Sequence, residues 1–271
     1  RARGEYIYIA TSDDTASPEL LERLVAPLER LPEVDLAMCD YQAIDEHGGL
    51  LEMHDHVRAF YGDAMNTPSL RSGRTEFLLQ AAFGMPTWVT MTSVLFRRHL
   101  LGQVGWFRTD RGSMADYEWG MRATLASDAA FVPGRLATWR IHGGQGTIQS
   151  RSKGPWYYRT LLNCIESVIY DERSGIPPSW RVIDEWDEKL KNSIKMNYFD
   201  SFGLYRDIAR RDMRRFLWNI SEALRSAPEL LLGRTLRAFS WSDEFSPDVV
   251  AVAQDLIETF GTPWPPEPGN W

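Results

Sequence analysis

Three short stretches of this chain carry residues whose types suit chemistry. Ser12-Asp13-Asp14 stands where an apolar run ends. Adjacent carboxylates at the end of a buried strand repel each other and cost desolvation energy unless something compensates them. Met114-Ala115-Asp116-Tyr117-Glu118 offers a carboxylate inside a helical pattern. Trp139-Arg140-Ile141-His142 runs into Gly143-Gly144-Gln145-Gly146-Thr147, joining a guanidinium, an imidazole and a glycine turn. Hard divalent cations such as Mg²⁺ and Mn²⁺ prefer carboxylate oxygens, and Mn²⁺ also accepts imidazole. An aspartate pair with a distant histidine therefore suits a metal–diphosphate complex. Arg140 would add charge toward the phosphates, and the glycine turn would let backbone approach closely. Asp116 is left to act as a base. Each group also has a plainer reading. Asp13 and Asp14 suit the start of a following helix, Asp116 is by default a solvated carboxylate, and a lone His142 is more often structural than a ligand.

The elements that must position these residues can be traced along the chain. Tyr6–Ala10 reads as a strand, and Pro18–Leu31 has leucines at helical spacing. Val34–Tyr41 reads as a second strand, followed by turn chemistry at Asp45-Glu46-His47-Gly48-Gly49. Residues 54–70 are polar and irregular and read as a surface loop. Arg74–Phe83 reads as a helix and Val89–Phe96 as a strand. This alternation favours an α/β fold built on a mixed or parallel sheet. After Gly154 the pattern turns helical over Trp156–Asp171, Trp180–Tyr198, Ser201–Ala227 and Asp248–Phe260. A boundary is expected near residue 150, so that residues 151–271 form a helical appendage ending in the proline-rich, extended GTPWPPEPGNW.

Composition narrows the classes. With 271 residues, 44% hydrophobic and 25% charged, the chain is long enough for one large domain or a domain with an appendage. A net charge of −7 argues against a general nucleic-acid binder. Cys39 and Cys164 lie far apart, which is no disulfide scaffold and suits a reducing compartment. The longest uncharged run, Phe77 to Phe96, contains Gln80, Gly84, Pro86 and several threonines, and reads as buried core rather than a membrane span. The expectation is a cytoplasmic protein, with peripheral association at the cytoplasmic face of a membrane and homo-oligomerisation left open.

Taken in order, the motifs resemble glycosyltransferase family 2, the inverting enzymes of the GT-A fold. Gly4-Glu5-Tyr6-Ile7 leads into Ser12-Asp13-Asp14 and then Pro18-Glu19-Leu20, as that family's strand and aspartate motif do. Ile44-Asp45-Glu46-His47-Gly48 matches its turn, and Arg97-Arg98-His99-Leu100-Leu101-Gly102-Gln103-Val104-Gly105-Trp106-Phe107 its next segment. Ala115-Asp116-Tyr117-Glu118 through Arg122 resembles its base motif, and Arg140 with His142 its R-x-H motif. The resemblance covers roughly residues 1–150. It implies a GT-A type, Rossmann-like mixed sheet, a nucleoside-diphosphate sugar donor, a glycan or other hydroxyl acceptor, and a divalent Mn²⁺ or Mg²⁺. By that resemblance Asp14 would ligate the metal directly, Asp13 would face the sugar or ribose, and Asp116 would be the general base. His142 would complete the metal or phosphate site, with Arg140 beside it. Ala115 occupies the substrate-contact position where the family often has an acidic residue. The family's first strands, which hold base and ribose, precede the Gly4-Glu5-Tyr6-Ile7 segment, and only Arg1-Ala2-Arg3 precede it here. On this reading the chain lacks the nucleotide-binding strands.

Other features read more plainly. His54 and His56 suit a solvated loop, and Arg206, Arg210, Arg211, Arg214 and Arg215 a salt-bridged exposed helix face. Trp88 and Trp106 suit sugar stacking, but core packing suits them at least as well, and they are left out of the candidate site. The leading function is a metal-dependent inverting glycosyltransferase of hexosyltransferase type, serving polysaccharide or glycoconjugate synthesis. A non-catalytic nucleotide-sugar-binding or assembly protein is the alternative, and a metal-dependent phosphohydrolase ranks last because few further ligands are offered.

Overall fold

Nine residues between turns are enough to make Leu36–Ile44 (β2) the spine of the molecule, because its side chains alternate between two apolar layers. In the computed structural model, which describes residues 2–53, 55–146, 149, 155–201, 213–226 and 249–271, β2 lies parallel to β5 (Ala129–Arg140). Around this pair stand β1 (Tyr6–Tyr8), β3 (Ser69–Arg71), β4 (Val94–Arg97) and β6 (Glu267–Pro268), all paired antiparallel. The sheet has six strands in the order β1-β4-β2-β5-β3-β6. The fold is therefore α/β with a mixed sheet flanked by helices and a mostly helical C-terminal region.

On one face, Leu20, Leu24 and Leu28 of α1 (Leu20–Arg30) pack on Ala37, Cys39, Ala130 and Val132. Their four-residue spacing puts them on one stripe of the helix. On the other face, Leu36, Met38, Val94 and Phe96 meet α3 (Gly73–Phe83) and α5 (Ala115–Ala126). The helix α3 is buried almost all round, as an internal helix must be when its sequence has no polar face. Between these, α4 (Leu100–Val104) follows β4. The later helices α6 (Pro155–Ile169), α7 (Trp186–Ser201), α8 (Met213–Ser226) and α9 (Val249–Phe260) follow in turn. Tyr158, Leu161 and Ile165 of α6, Leu190 and Ile194 of α7, and Val249 and Leu256 of α9 join the same apolar cluster as Phe77 and Trp119.

Two sequence expectations need correction. Residues 54–70 are not one irregular loop: His56–Tyr61 forms α2, and Ser69–Arg71 pairs with β5 as β3. Asp55 caps α2 by accepting from the amides of Val57 and Arg58, while Val57, Phe60 and Tyr61 turn inward. The strand expected at Val89–Phe96 begins only at Val94, because Met91–Ser93 coils into a 3₁₀ turn capped by the Thr90 hydroxyl. The expected helix Ser201–Ala227 is described at 213–226. His54, Thr147, Arg206, Arg210 and Arg211 lie outside the described residues. Among the described residues no helix is long and apolar enough to cross a membrane.

Candidate active site

The aspartate pair meets the Arg140–His142 segment because the chain after β1 runs antiparallel along the last third of β5. Ser17 N donates to Leu136 O at 2.7 Å, Ala16 bridges Ala137, and Thr138 N donates to Thr15 O at 2.8 Å. One step further, Arg140 N donates to Asp14 Oδ1 at 2.7 Å and Arg140 Nε to Asp13 O at 2.7 Å. The next side chain in the series, His142, sets Nε2 3.1 Å from Asp13 Oδ2. Residues about 120 positions apart in sequence are thus zipped into register by main-chain bonds.

The two carboxylates then part company. Asp14 Oδ2 accepts from the hydroxyls of Thr11 at 2.7 Å, Thr90 at 2.5 Å and Thr92 at 3.2 Å. With the Arg140 amide on Oδ1, four donors converge on one half-buried carboxylate, each a charge-assisted bond. Asp14 thereby ties together the end of β1, the turn before β4 and the end of β5. Asp13, also half-buried, shares only the His142 imidazole among its side-chain contacts in the described residues. Arg140 is committed as well, since beyond Asp13 O its Nη1 donates to Asp45 O at 3.0 Å and Glu46 O at 3.3 Å. That turn is shaped by Asp45 itself, whose carboxylate accepts from the amides of His47 and Gly49. These bonds hold the Asp45 carboxyl below its ordinary pKa.

Asp116 lies in the first turn of α5. Desolvation raises its pKa, and the Tyr117 amide that it accepts opposes this only in part. Asp13, Asp14 and Asp116 all line one cavity of about 180 Å³. Met85, Pro86, Val89 and Met91 give it an apolar stretch, and Thr11, Thr90, Ser113, Trp139, Gln145 and Tyr157 are among its other lining residues. Ala115 precedes Asp116 as the first residue of α5 but is not part of the lining. The arrangement sets a desolvated carboxylate, a carboxylate backed by an imidazole and an apolar wall around one small space.

The chemistry of the Asp13–His142 pair can be tested against a metal. Two adjacent ligands of an octahedral cation with bonds of about 2.1 Å stand about 3 Å apart. The observed 3.1 Å separation fits such a pair. No three His, Cys, Asp or Glu side chains converge on one point among the described residues. A cation there would take the rest of its shell from phosphate oxygens and water, as Mg²⁺ sites on nucleotides usually do.

Several residues were invisible or misweighted in the sequence. Thr90 and Thr92 carry the Asp14 network, and their alternation in Thr90-Met91-Thr92 was the available signal. Val89 adopts φ +63°, and Thr90 N closes on Trp88 O at 2.7 Å around it. That is a γ-turn of the rare positive-φ hand, costing on the order of 1–3 kcal/mol for a non-glycine residue. Gln145 Oε1 is a buried acceptor at the cavity with no hydrogen-bond partner among the described residues. Trp88 is buried against Trp119, whereas Trp106 is exposed, so neither faces the cavity. Glu118 and Arg122 are buried partners, bonded at 2.9 and 2.7 Å, and Arg122 also grips the carbonyls of Val104 and Trp106. Of the HDH pair, His56 stacks on Phe83 with ring centroids 5.8 Å apart.

No protein-family model matches the chain, and no curated protein matches it. Among solved structures, that of S. aureus TarS in complex with UDP-GlcNAc is similar with a TM-score of 0.43 at 11% identity. The match covers 79% of this chain and 66% of that one, a likeness too slight to bear on activity.

Proposed function

We propose that the chain carries the metal- and acceptor-binding residues of an inverting GT-A glycosyltransferase acting on a nucleoside-diphosphate sugar. The observation that carries this reading is the convergence of Asp13, Asp14 and Asp116 on one cavity, with His142 bonded to Asp13 behind it. These residues come from three separated motifs, in the order in which the family 2 resemblance names them. The mixed sheet suits a GT-A-like arrangement.

The geometry favours exchanging the roles of the two aspartates. Asp14 has four donors already, so Asp13 and His142 are the pair that would hold Mn²⁺ or Mg²⁺. A cation bound there would neutralise charge on the departing nucleoside diphosphate. Asp116 in its ionised form takes the proton from an acceptor hydroxyl. The oxygen so freed bonds to the anomeric carbon from the face opposite the diphosphate, and the old carbon–oxygen electron pair leaves with the phosphate. One displacement inverts the configuration. The raised pKa makes Asp116 a stronger base than an exposed aspartate. Arg140 holds the loop carbonyls in place rather than reaching for phosphate with its Nε and Nη1.

The test is calorimetric titration of UDP, GDP and dTDP into the full-length protein, with and without Mn²⁺. The expected outcome is metal-dependent binding of one nucleotide, weakened at least tenfold by Asp13→Asn. Absence of metal-dependent binding for all three sinks the reading. Sugar transfer that survives Asp116→Asn would remove the base from the mechanism.

A further inference from the structure

The turn at Val89 places a non-glycine residue at positive φ. Gly84, five residues earlier in the same loop, takes φ +62° where a glycine does so freely. A β-branched residue at φ +63° is a marked outlier, so Val89 must be held there by its surroundings. They hold it at several points. Val89 N donates to Pro86 O at 3.1 Å, and the Ser93 hydroxyl lies 2.5 Å from Trp88 O and 2.8 Å from Thr90 O. Trp88 on one side is buried in the core, and Thr90 on the other bonds to Asp14. The turn is thereby fixed between the core and the aspartate network, with Val89 half-buried in the wall of the cavity that holds Asp116.

We infer that Val89 is an acceptor-contact residue, whose isopropyl group packs on the C–H face of an uncharged sugar ring presented to Asp116. This rests on the transferase reading above. The wall around Val89 is apolar, and the charges lining the cavity among the described residues are carboxylates, so an anionic ring is disfavoured there.

The experiment measures binding of methyl glycosides of glucose, galactose and N-acetylglucosamine by saturation-transfer NMR, with methyl glucuronide as the anionic control. Val89→Gly releases the strain and removes the side chain, and Val89→Ala shortens the side chain alone. The expected result is that a neutral glycoside binds the native protein and loses at least fivefold in affinity in both variants. Thermal stability should be unchanged or higher in Val89→Gly, and Mn²⁺-dependent nucleotide binding unchanged in both. Equal glycoside affinity in the variants, preference for the glucuronide, or no glycoside bound by the native protein would overturn the inference. Nucleotide titration of the native protein separates the two ideas, since its failure removes the transferase while the glycoside comparison still reads Val89.

Discussion

Asp116 and Asp14 show how one residue type serves opposite purposes. Asp116 meets a single amide and is otherwise desolvated, which raises its pKa. A carboxyl whose folded pKa exceeds the unfolded value favours folding most below the unfolded pKa. That contribution is lost as pH rises through the folded one. Raising the pH toward 7 therefore costs stability at this group, and Asp116→Asn should raise Tm at pH 7 with the gain shrinking toward pH 4. On the transferase reading, transfer should fall about 10³-fold in the same variant, as expected for loss of a general base. On the same reading, the acid limb of the native protein's activity should have its midpoint above the ordinary aspartate pKa. Asp14 behaves otherwise, since four donors converge on it. Losing its charge-assisted bonds should cost about 2 kcal/mol. Asp14→Asn should thus lower Tm by about 5 °C in thermal denaturation, where Asp13→Asn changes Tm little and abolishes metal-dependent nucleotide binding.

At the scale of elements, the pattern of apolar residues foretold most of what carries the sheet. Leu20, Leu24 and Leu28 sit at helical spacing, and Leu36 with Met38 faces away from Ala37 and Cys39. The motifs holding Asp13, Asp14 and Asp116 were also readable, and these three carboxylates line one cavity, with His142 bonded to Asp13. The division of labour between Asp13 and Asp14 was not, because it depends on Thr90 and Thr92, some 76 to 78 residues away. Nor was α2 visible, since its buried face is short and lies among polar neighbours. Close packing of helices was equally hidden. Gly73 opens α3 with its amide bonded to Asp128, and a Cβ there would collide with the carbonyl oxygens of Thr124 and Ser127. Both obstacles are backbone, so Gly73→Ala should cost on the order of 3 kcal/mol, seen as an earlier urea midpoint with an unchanged slope. A midpoint within error of the native protein would mean that α3 and the end of α5 can separate without loss.

For the molecule as a whole, the proline-rich tail is the element whose sequence said least about its role. It runs along the open edge of the sheet and touches both apolar layers. Thr75 Oγ1 bonds to Thr262 Oγ1 at 3.0 Å and to Pro263 O at 2.8 Å. Trp264 packs on Phe60 and Tyr61 with centroids 4.4 and 5.3 Å away. Beyond it, β6 pairs with β3, Gly269 N donates to Pro68 O, and Arg30 donates to Asn270 O. Trp271 ends against the layer formed by α1 and the opposite face of the sheet. The tail thus covers a strand edge that would otherwise offer unpaired amides to other chains. Deleting residues 264–271 removes that cover and two aromatic anchors, so Tm should fall by about 5–10 °C, with aggregation visible in light scattering. No residue of the segment lines the cavity with Asp13 and Asp116, so nucleotide affinity at 20 °C should be unchanged. Restoring the tail with Trp264→Ala alone should recover the scattering but only part of the Tm, because edge pairing and aromatic packing then separate. A truncated protein with native Tm and no scattering would mean that β3 protects its own edge and that the tail merely lies upon it.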